Sequence, residues 1–502
     1  MRTAPARLWA WLADRPGSSL TAGLLLAAGL RLPFVAAPFG VDEGGYLYIA
    51  QHWPGPGHWL YGDQWVDRPP ALLLLFKTVV LLGSSPVAMR LVAIAVVCVL
   101  VASAWYAGRR LAGGDGALAA SLCAAALGSN PALGGSELMS DGVGAMFVML
   151  SFALLLAAIS AHDDSPGRRA VALAGLAGCA GVLAFLSKQS AVVAMVVAVV
   201  VLGARSRRHW SLLLGYAVGA LVPLAATLAW AAEGPGVAML ANALYTFRVA
   251  SVRVVESSTS HAPSGRFGTY VRVLVVSGLG FSLGHLAYDM LTRRRSWLLR
   301  GTVAVAAACL ASVIVASLNW YVHYWLAVVP LAAVGVALAF VPAERTWRAR
   351  MIPRAVVAAT VLASVANVAL QLPVNLASPA MARFVAAAAR PRDTMMVLWG
   401  QPNLLEETGL RTPYPYSWSL PVRVEDPHLQ LFADLLAGPR APTWLLDVGR
   451  SNAWHLETPR VARLIARRYH VAAVVCGHDI LLRDGVRRSL GAGAAAVPLG
   501  RC

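Results

Sequence analysis

Lysine is almost absent from this 502-residue chain: Lys77 and Lys188 stand alone beside the arginines among its 42 basic residues. Charge of any kind is scarce too, at 13% of residues against 58% hydrophobic, with a mean hydropathy of +0.63. So much apolar surface cannot be hidden in one water-soluble core, and a lipid bilayer must cover it. Acidic residues number only 24, which leaves a formal charge of +18. A nucleic-acid binder displays such charge as a basic patch on a soluble fold. Here the arginines punctuate apolar segments, which excludes nucleic acid as a partner and marks them as topology signals and headgroup contacts. Cysteine is sparse: Cys98, Cys123, Cys179 and Cys309 fall in apolar segments as packing residues, and only Cys476 and Cys502 lie outside them, where an oxidising compartment would let them pair. Internal repeats and the Walker, Rossmann and zinc-finger spacings are missing as well.

What is present is a series of apolar runs. Arg2, Arg7 and Arg15 precede the first, residues 18–37, which lacks a small-residue cleavage site and reads as a retained first helix. Full-length spans follow at residues 86–107, 116–133, 140–160, 169–186, 189–204, 211–232, 268–290, 298–318, 322–341 and 354–373, about eleven transmembrane helices in all. Residues 69–83 are short for a span and carry Lys77, so they are expected to lie along the interface. The arginine-rich loops support that reading. Arg109-Arg110, Arg168-Arg169, Arg205 to Arg208, Arg293 to Arg295 and Arg345 to Arg350 alternate onto one side, the cytoplasm, together with the N-terminus. The outer face then receives residues 40–83, 134–139, the Ser187-Lys188 turn, 233–267, the Asn319-Trp320-Tyr321 turn and everything after 373. From residue 377 the pattern changes to short β-type runs at 395–399, 444–448 and 471–476, separated by helical stretches at 429–436 and 459–469. The expected organisation is a mainly α, polytopic membrane domain, residues 1–376, with outer-face loops 40–83 and 233–267. A small extracytoplasmic α/β domain, residues 377–502, follows it.

The polar residues of interest collect on the outer face. Asp42-Glu43 directly follows the first span; adjacent carboxylates there suit a general base, a metal ligand or a solvated loop start. Asp67-Arg68-Pro69-Pro70 introduces the interfacial segment, where Lys77 either snorkels to headgroups or holds a phosphate. Glu137 and Asp141 bring two more acids, Asp141 also suiting a helix cap. Lys188 sits where two spans turn back, Arg248 and Arg253 lie in a basic loop that suits an anion, and His323-Tyr324 stands among aromatics at an outer helix start.

In this order, the acidic pair after the first span, Asp-x-Pro-Pro before an interfacial helix, an acid at the third-to-fourth turn and a lysine at the fifth-to-sixth turn resemble the GT-C glycosyltransferases. The similarity is narrowest to the protein O-mannosyltransferase and lipid A aminoarabinose transferase group. It is good over residues 20–204 and loose beyond. The resemblance implies a membrane glycosyltransferase that moves a sugar from a polyprenyl-phosphate donor to a hydroxyl of a cell-envelope polysaccharide, glycolipid or protein by single-displacement inversion. It implies Asp42 as the acid that activates the acceptor, with Glu43 as helper or metal ligand and Asp141 or Glu137 as second outer-face acid. Lys77 and Lys188 would neutralise the donor phosphate, and Tyr46, Arg68, His323 and Tyr324 would line the substrate. No cofactor is required, and a divalent cation is compatible with the acids. Gln189 stands where relatives usually have glycine, and His323-Tyr324 stands where many have an arginine, a contact Arg248 or Arg253 would replace. The rival reading is a transporter or flippase, which calls for charges near the midplane and broken helices.

Overall fold

The computed structural model describes residues 4–53, 60–204, 206–257, 262–293, 295–317, 319–341, 347–372, 377–448, 456, 458–489 and 496–497. Among them, six helices are long and apolar enough to cross a membrane, or seven if one bent pair counts as a span. Shorter apolar helices at Pro70–Leu81, Gln189–Gly203 and Val322–Leu338 accompany them, with Pro16–Arg31 before them. The 43-residue helix Pro86–Gly128 would be about 65 Å long if straight, twice the hydrocarbon thickness. It breaks at Ala112 and Gly113, where Gly113 adopts φ 66°, and folds back so that a Cβ on Gly128 would meet Leu100 at 3.0 Å. The two runs read separately at 86–107 and 116–133 are thus an antiparallel hairpin. The run read as one span at 268–290 is instead two helices, Ser264–Val276 and Leu279–Thr292, bent by 71°. Gly278 turns the chain there with φ 82°, and a Cβ on it would press within 2.7 Å of the Thr360 backbone. Residues 233–267 are not an open loop: they carry helices Val237–Ala241 and Phe247–Glu256, joined by the π-helical turn Asn242–Thr246.

Small residues let the helices approach. Arg168–Ser187 crosses Ser206–Glu233 so closely that a Cβ on Gly219 would run into the Gly175 backbone, the pattern expected where lipid supplies no hydrophobic drive between helices. The ends of the bundle are pinned by contacts that respect the arginine alternation. Asp115 ties Trp9 to Arg354, Arg208 pairs with Asp163, and Arg293 and Arg295 both reach Asp289. At the opposite end Gln189 and Arg248 meet Asp67, and Arg266 donates to the Asn319 carbonyl.

The C-terminal region forms a mixed sheet of five strands, β1 Met395–Leu398, β2 Trp444–Asp447, β3 Tyr469–Val475, β4 His478–Arg483 and β5 Ala496–Val497, in the order β1-β2-β4-β3-β5. One face of the sheet packs, through Met396 and Leu445, on Phe432 and Leu436 of helix Gln430–Ala437 and Val461 of helix Pro459–Arg468, while Trp444 and Leu446 join the core that continues into the helical bundle. This region docks on helix Val41–His52 along one face. Trp418 meets Asp42, Pro402 packs on Gly45, Tyr48 accepts from the Thr412 amide at 2.9 Å, and Gln51 donates to Glu406 at 2.6 Å. A Cβ on Gly45 would lie 2.5 Å from both Pro402 and Trp418, so the glycine pair after Asp42-Glu43 is what permits the contact.

Candidate active site

Helix Val41–His52 places its two acids in opposite surroundings. Glu43 points inward and is wholly buried. It accepts hydrogen bonds from the Gly40 amide at 2.9 Å, the Leu138 amide at 2.8 Å and the Arg90 guanidinium. Arg90 itself reaches the Pro38 and Phe34 carbonyls, so the pair staples the loop before Asp42 to the bundle. With both oxygens occupied, Glu43 has no free lone pair facing a ligand, contrary to the helper or metal-ligand role expected of it. Asp42 is only half-buried and accepts a hydrogen bond from the Trp418 indole at 3.0 Å.

A second layer of charge lies beside it. Arg68 stacks on the Tyr46 ring, its guanidinium carbon 5.5 Å from the centroid, and pairs with Asp67 at 2.7 Å. Asp67 also holds Arg248 at 2.8 Å. Burial pushes the Asp67 carboxyl up, but Arg248 and Arg68 outweigh it and hold it below the usual carboxylate range. Asp141, at the first turn of helix Ser140–Asp164, pairs with Lys188, whose ammonium also sits 4.6 Å from the Tyr324 ring centre. His323 Nε2 lies 3.8 Å from Asp141. Arg68, Lys188, Arg248 and Asp141 line one open cavity enclosing about 1070 Å³ of empty space. Its apolar wall, Leu310 and Ala327, is shared with a second, almost wholly apolar cavity of about 780 Å³ that runs between helices as far as Leu111 and Leu338.

The structure therefore brings Asp141, Lys188, Arg68, Arg248 and Tyr324 to one cavity, with His323 against Asp141 and Tyr46 beneath Arg68. Asp42, Lys77 and Arg253 are not among its lining residues. The Lys77 ammonium packs 5.1 Å from the Trp53 ring centre on helix Pro70–Leu81. Arg253 is exposed one turn and a half beyond Arg248. Glu137 abuts Gly40, close enough that a Cβ there would collide with its carboxylate. Burial, with Glu43 and Asp42 nearby, pushes the Glu137 carboxyl up to about 8. Three contributors escaped the reading of the sequence. Arg90 had a signal, a lone charge inside an apolar run, which has to find a partner. Asp67 enters the sequence reading only as the first residue of the Asp-x-Pro-Pro motif, with no role of its own. Trp418, 376 residues from its partner, had none. Among the described residues no group of three His, Cys, Asp or Glu is placed to hold a metal ion.

Residues 67–231 match the family of dolichyl-phosphate-mannose-protein mannosyltransferases. No curated protein sequence matches the chain. Among solved structures, ArnT from Cupriavidus metallidurans bound to undecaprenyl phosphate is similar with a TM-score of 0.58 at 16% identity, covering 92% of this chain and 97% of that one. Its apo form gives 0.60 at 15% identity, over 92% and 96%. The oligosaccharyltransferase of Archaeoglobus fulgidus in its apo form gives 0.54 at 11% identity, over 91% of this chain and 73% of that one. At such identities the shared property is the fold. The chain has the GT-C fold and is similar, within residues 67–231, to the protein mannosyltransferase group that its ordered acids and cations resemble.

Proposed function

We propose that the protein is a membrane glycosyltransferase that moves a sugar from a polyprenyl-phosphate donor to an acceptor hydroxyl. The observation that carries this reading is the juxtaposition of two cavities, a basic one lined by Arg68, Lys188 and Arg248 and an apolar one that shares its Leu310 and Ala327 wall. A phosphate attached to an isoprenoid chain needs both, side by side. The fold it shares with a protein solved with undecaprenyl phosphate supports the same ligand class.

Asp42 is the general base. It takes the proton of the acceptor hydroxyl as that oxygen bonds to the anomeric carbon, while the bond from that carbon to the phosphate oxygen breaks and its electron pair leaves with the polyprenyl phosphate. A single displacement inverts the anomeric centre. Negative charge grows on the leaving phosphate, where Arg68, Lys188 and Arg248 offset it. Asp67 and Asp141 hold these cations, and keep them in place while exchanging part of their pairing when the donor phosphate binds. Glu43 with Arg90 is an anchor, and Lys77 and Arg253 stand outside the phosphate site. Tyr324 is one of its walls, Tyr46 supports Arg68 and His323 lies beside Asp141, while Glu137, against Gly40, stands outside it.

The remaining assignments belong to the same reading. The end of the bundle carrying Asp42, Asp141 and Lys188 faces outward, the N-terminus is cytoplasmic, and residues 377–502 form the extracytoplasmic domain. Both arms of the hairpin, the other five long helices, the bent pair, Pro16–Arg31, Gln189–Gly203 and Val322–Leu338 make about eleven crossings of the plasma membrane, with Pro70–Leu81 along the interface. One feature disfavours a transporter: the site charges gather in a single cluster around Asp67, Asp141, Lys188 and Arg248.

The test is transfer from a polyprenyl-phosphate sugar by the purified protein. Asp42→Asn is expected to lower the rate by 10²-fold or more while still binding the donor; wild-type activity in this variant overturns the reading.

A further inference from the structure

We infer that Trp418 is the positioning residue of Asp42, so that the C-terminal region completes the active site rather than merely covering it. The inference rests on Asp42 being the base of the transfer reaction proposed above.

The indole Nε1 donates to Asp42 Oδ1 at 3.0 Å, the one side-chain hydrogen bond Asp42 makes among the described residues. A hydrogen bond from an uncharged donor to a carboxylate fixes which oxygen is turned away, and so which lone pair faces the acceptor. The ring is held on three sides. It lies 5.6 Å from the Tyr46 ring, it packs on Gly45 where no Cβ intervenes, and its own carbonyl accepts from the Val422 amide at 3.2 Å at the start of helix Ser419–Glu425. Tyr46 in turn carries Arg68 on its face and Phe76 at its edge, with ring centres 5.5 Å apart. Tyr46 and Trp418 thus form one aromatic pair with the phosphate cation Arg68 clamped to one member and the base Asp42 to the other. The separation of base and leaving-group cation is set by two rings in contact, tilted 31° to each other, rather than by the loop between residues 42 and 68.

The segment bearing Trp418 is secured at further points. Tyr416 packs edge-on against Trp65, with centres 5.7 Å apart, and Trp65 against Phe247 of the helix that carries Arg248. Arg423 donates to the Val254 carbonyl of that same helix at 3.2 Å. Movement of the C-terminal region is therefore coupled to Asp42 and to Arg248 together.

Trp418→Phe removes the N–H and keeps the ring on Tyr46 and Gly45. The expected result is a kcat about tenfold lower with unchanged binding of polyprenyl phosphate. A kcat equal to wild type overturns the inference, as does a parallel loss of polyprenyl-phosphate binding, which would make Trp418 a structural residue only. Asp42→Asn separates the two claims. If it is inactive while Trp418→Phe behaves as wild type, the positioning role falls and the transferase reading stands; if it is fully active, the transferase reading itself falls.

Discussion

Arg90 and Glu43 illustrate how a charge at membrane depth is accommodated: each is buried and each completes the other's hydrogen bonds. Taking one partner from such a pair strands the other, which costs about 3–5 kcal/mol. Arg90→Met is therefore expected to lower the melting temperature of the detergent-solubilised protein sharply, with the smaller effect in the double variant Arg90→Met, Glu43→Leu. The adjacent acids could not be told apart in the sequence, because one residue of helix rotation, about 100°, decides which enters the core. The two lysines show the same limit. Lys77 was expected at the phosphate because cations are few, yet it lies two turns into helix Pro70–Leu81, over Trp53. Arg68, just before the double proline, is the residue at the cavity. A charge-assisted hydrogen bond contributes roughly 1.5–3 kcal/mol. Arg68→Ala and Lys188→Ala should accordingly weaken polyprenyl-phosphate binding tenfold or more, and Lys77→Ala should leave it within about twofold.

Helices and strands were the most legible level. Long apolar runs and the arginine alternation marked the spans, and the β-type runs at 395–399, 444–448 and 471–476 correspond to β1, β2 and β3. The misses have local causes. β4, with the pattern His478-Asp-Ile-Leu-Leu-Arg483, is too polar at its ends to stand out from a loop. The bend at Gly278 and the helices within 233–267 depend on which neighbours they pack against, and hydropathy averages over such breaks. The face of helix Val41–His52 that receives the C-terminal region was equally hidden, although Gly44-Gly45 marked a close approach. Across that contact lie Glu406 and Glu407, whose carboxyls burial pushes up to about 8 and about 7. Both exceed ordinary carboxylate values, so the unfolded chain loses these protons near pH 4.5 while the folded one retains them. Stability is then lost as pH rises from about 4.5 to 8. Glu406→Gln and Glu407→Gln are expected to raise the melting temperature at pH 8 and to leave it nearly unchanged at pH 4.5; equal effects at both pH values would exclude this origin.

At the scale of the whole molecule, Asp67, Asp141, Lys188 and Arg248 gather in one cluster, while Arg208 pairs with Asp163 and Arg293 and Arg295 pair with Asp289 away from it; the alternation of loops proposed from the sequence is compatible with that separation. That division was legible because topology is written in composition. The juxtaposition of a basic and an apolar cavity was not, since it is assembled from segments as distant as Arg68 and Tyr324. It is also where the account is most exposed. Mass spectrometry of lipid co-purified with the wild-type protein and with an Arg68→Ala, Lys188→Ala double variant tests it directly. The account predicts a polyprenyl phosphate on the wild type and its loss from the double variant. A wild type carrying no polyprenyl phosphate, or a double variant retaining it at the same level, would contradict it.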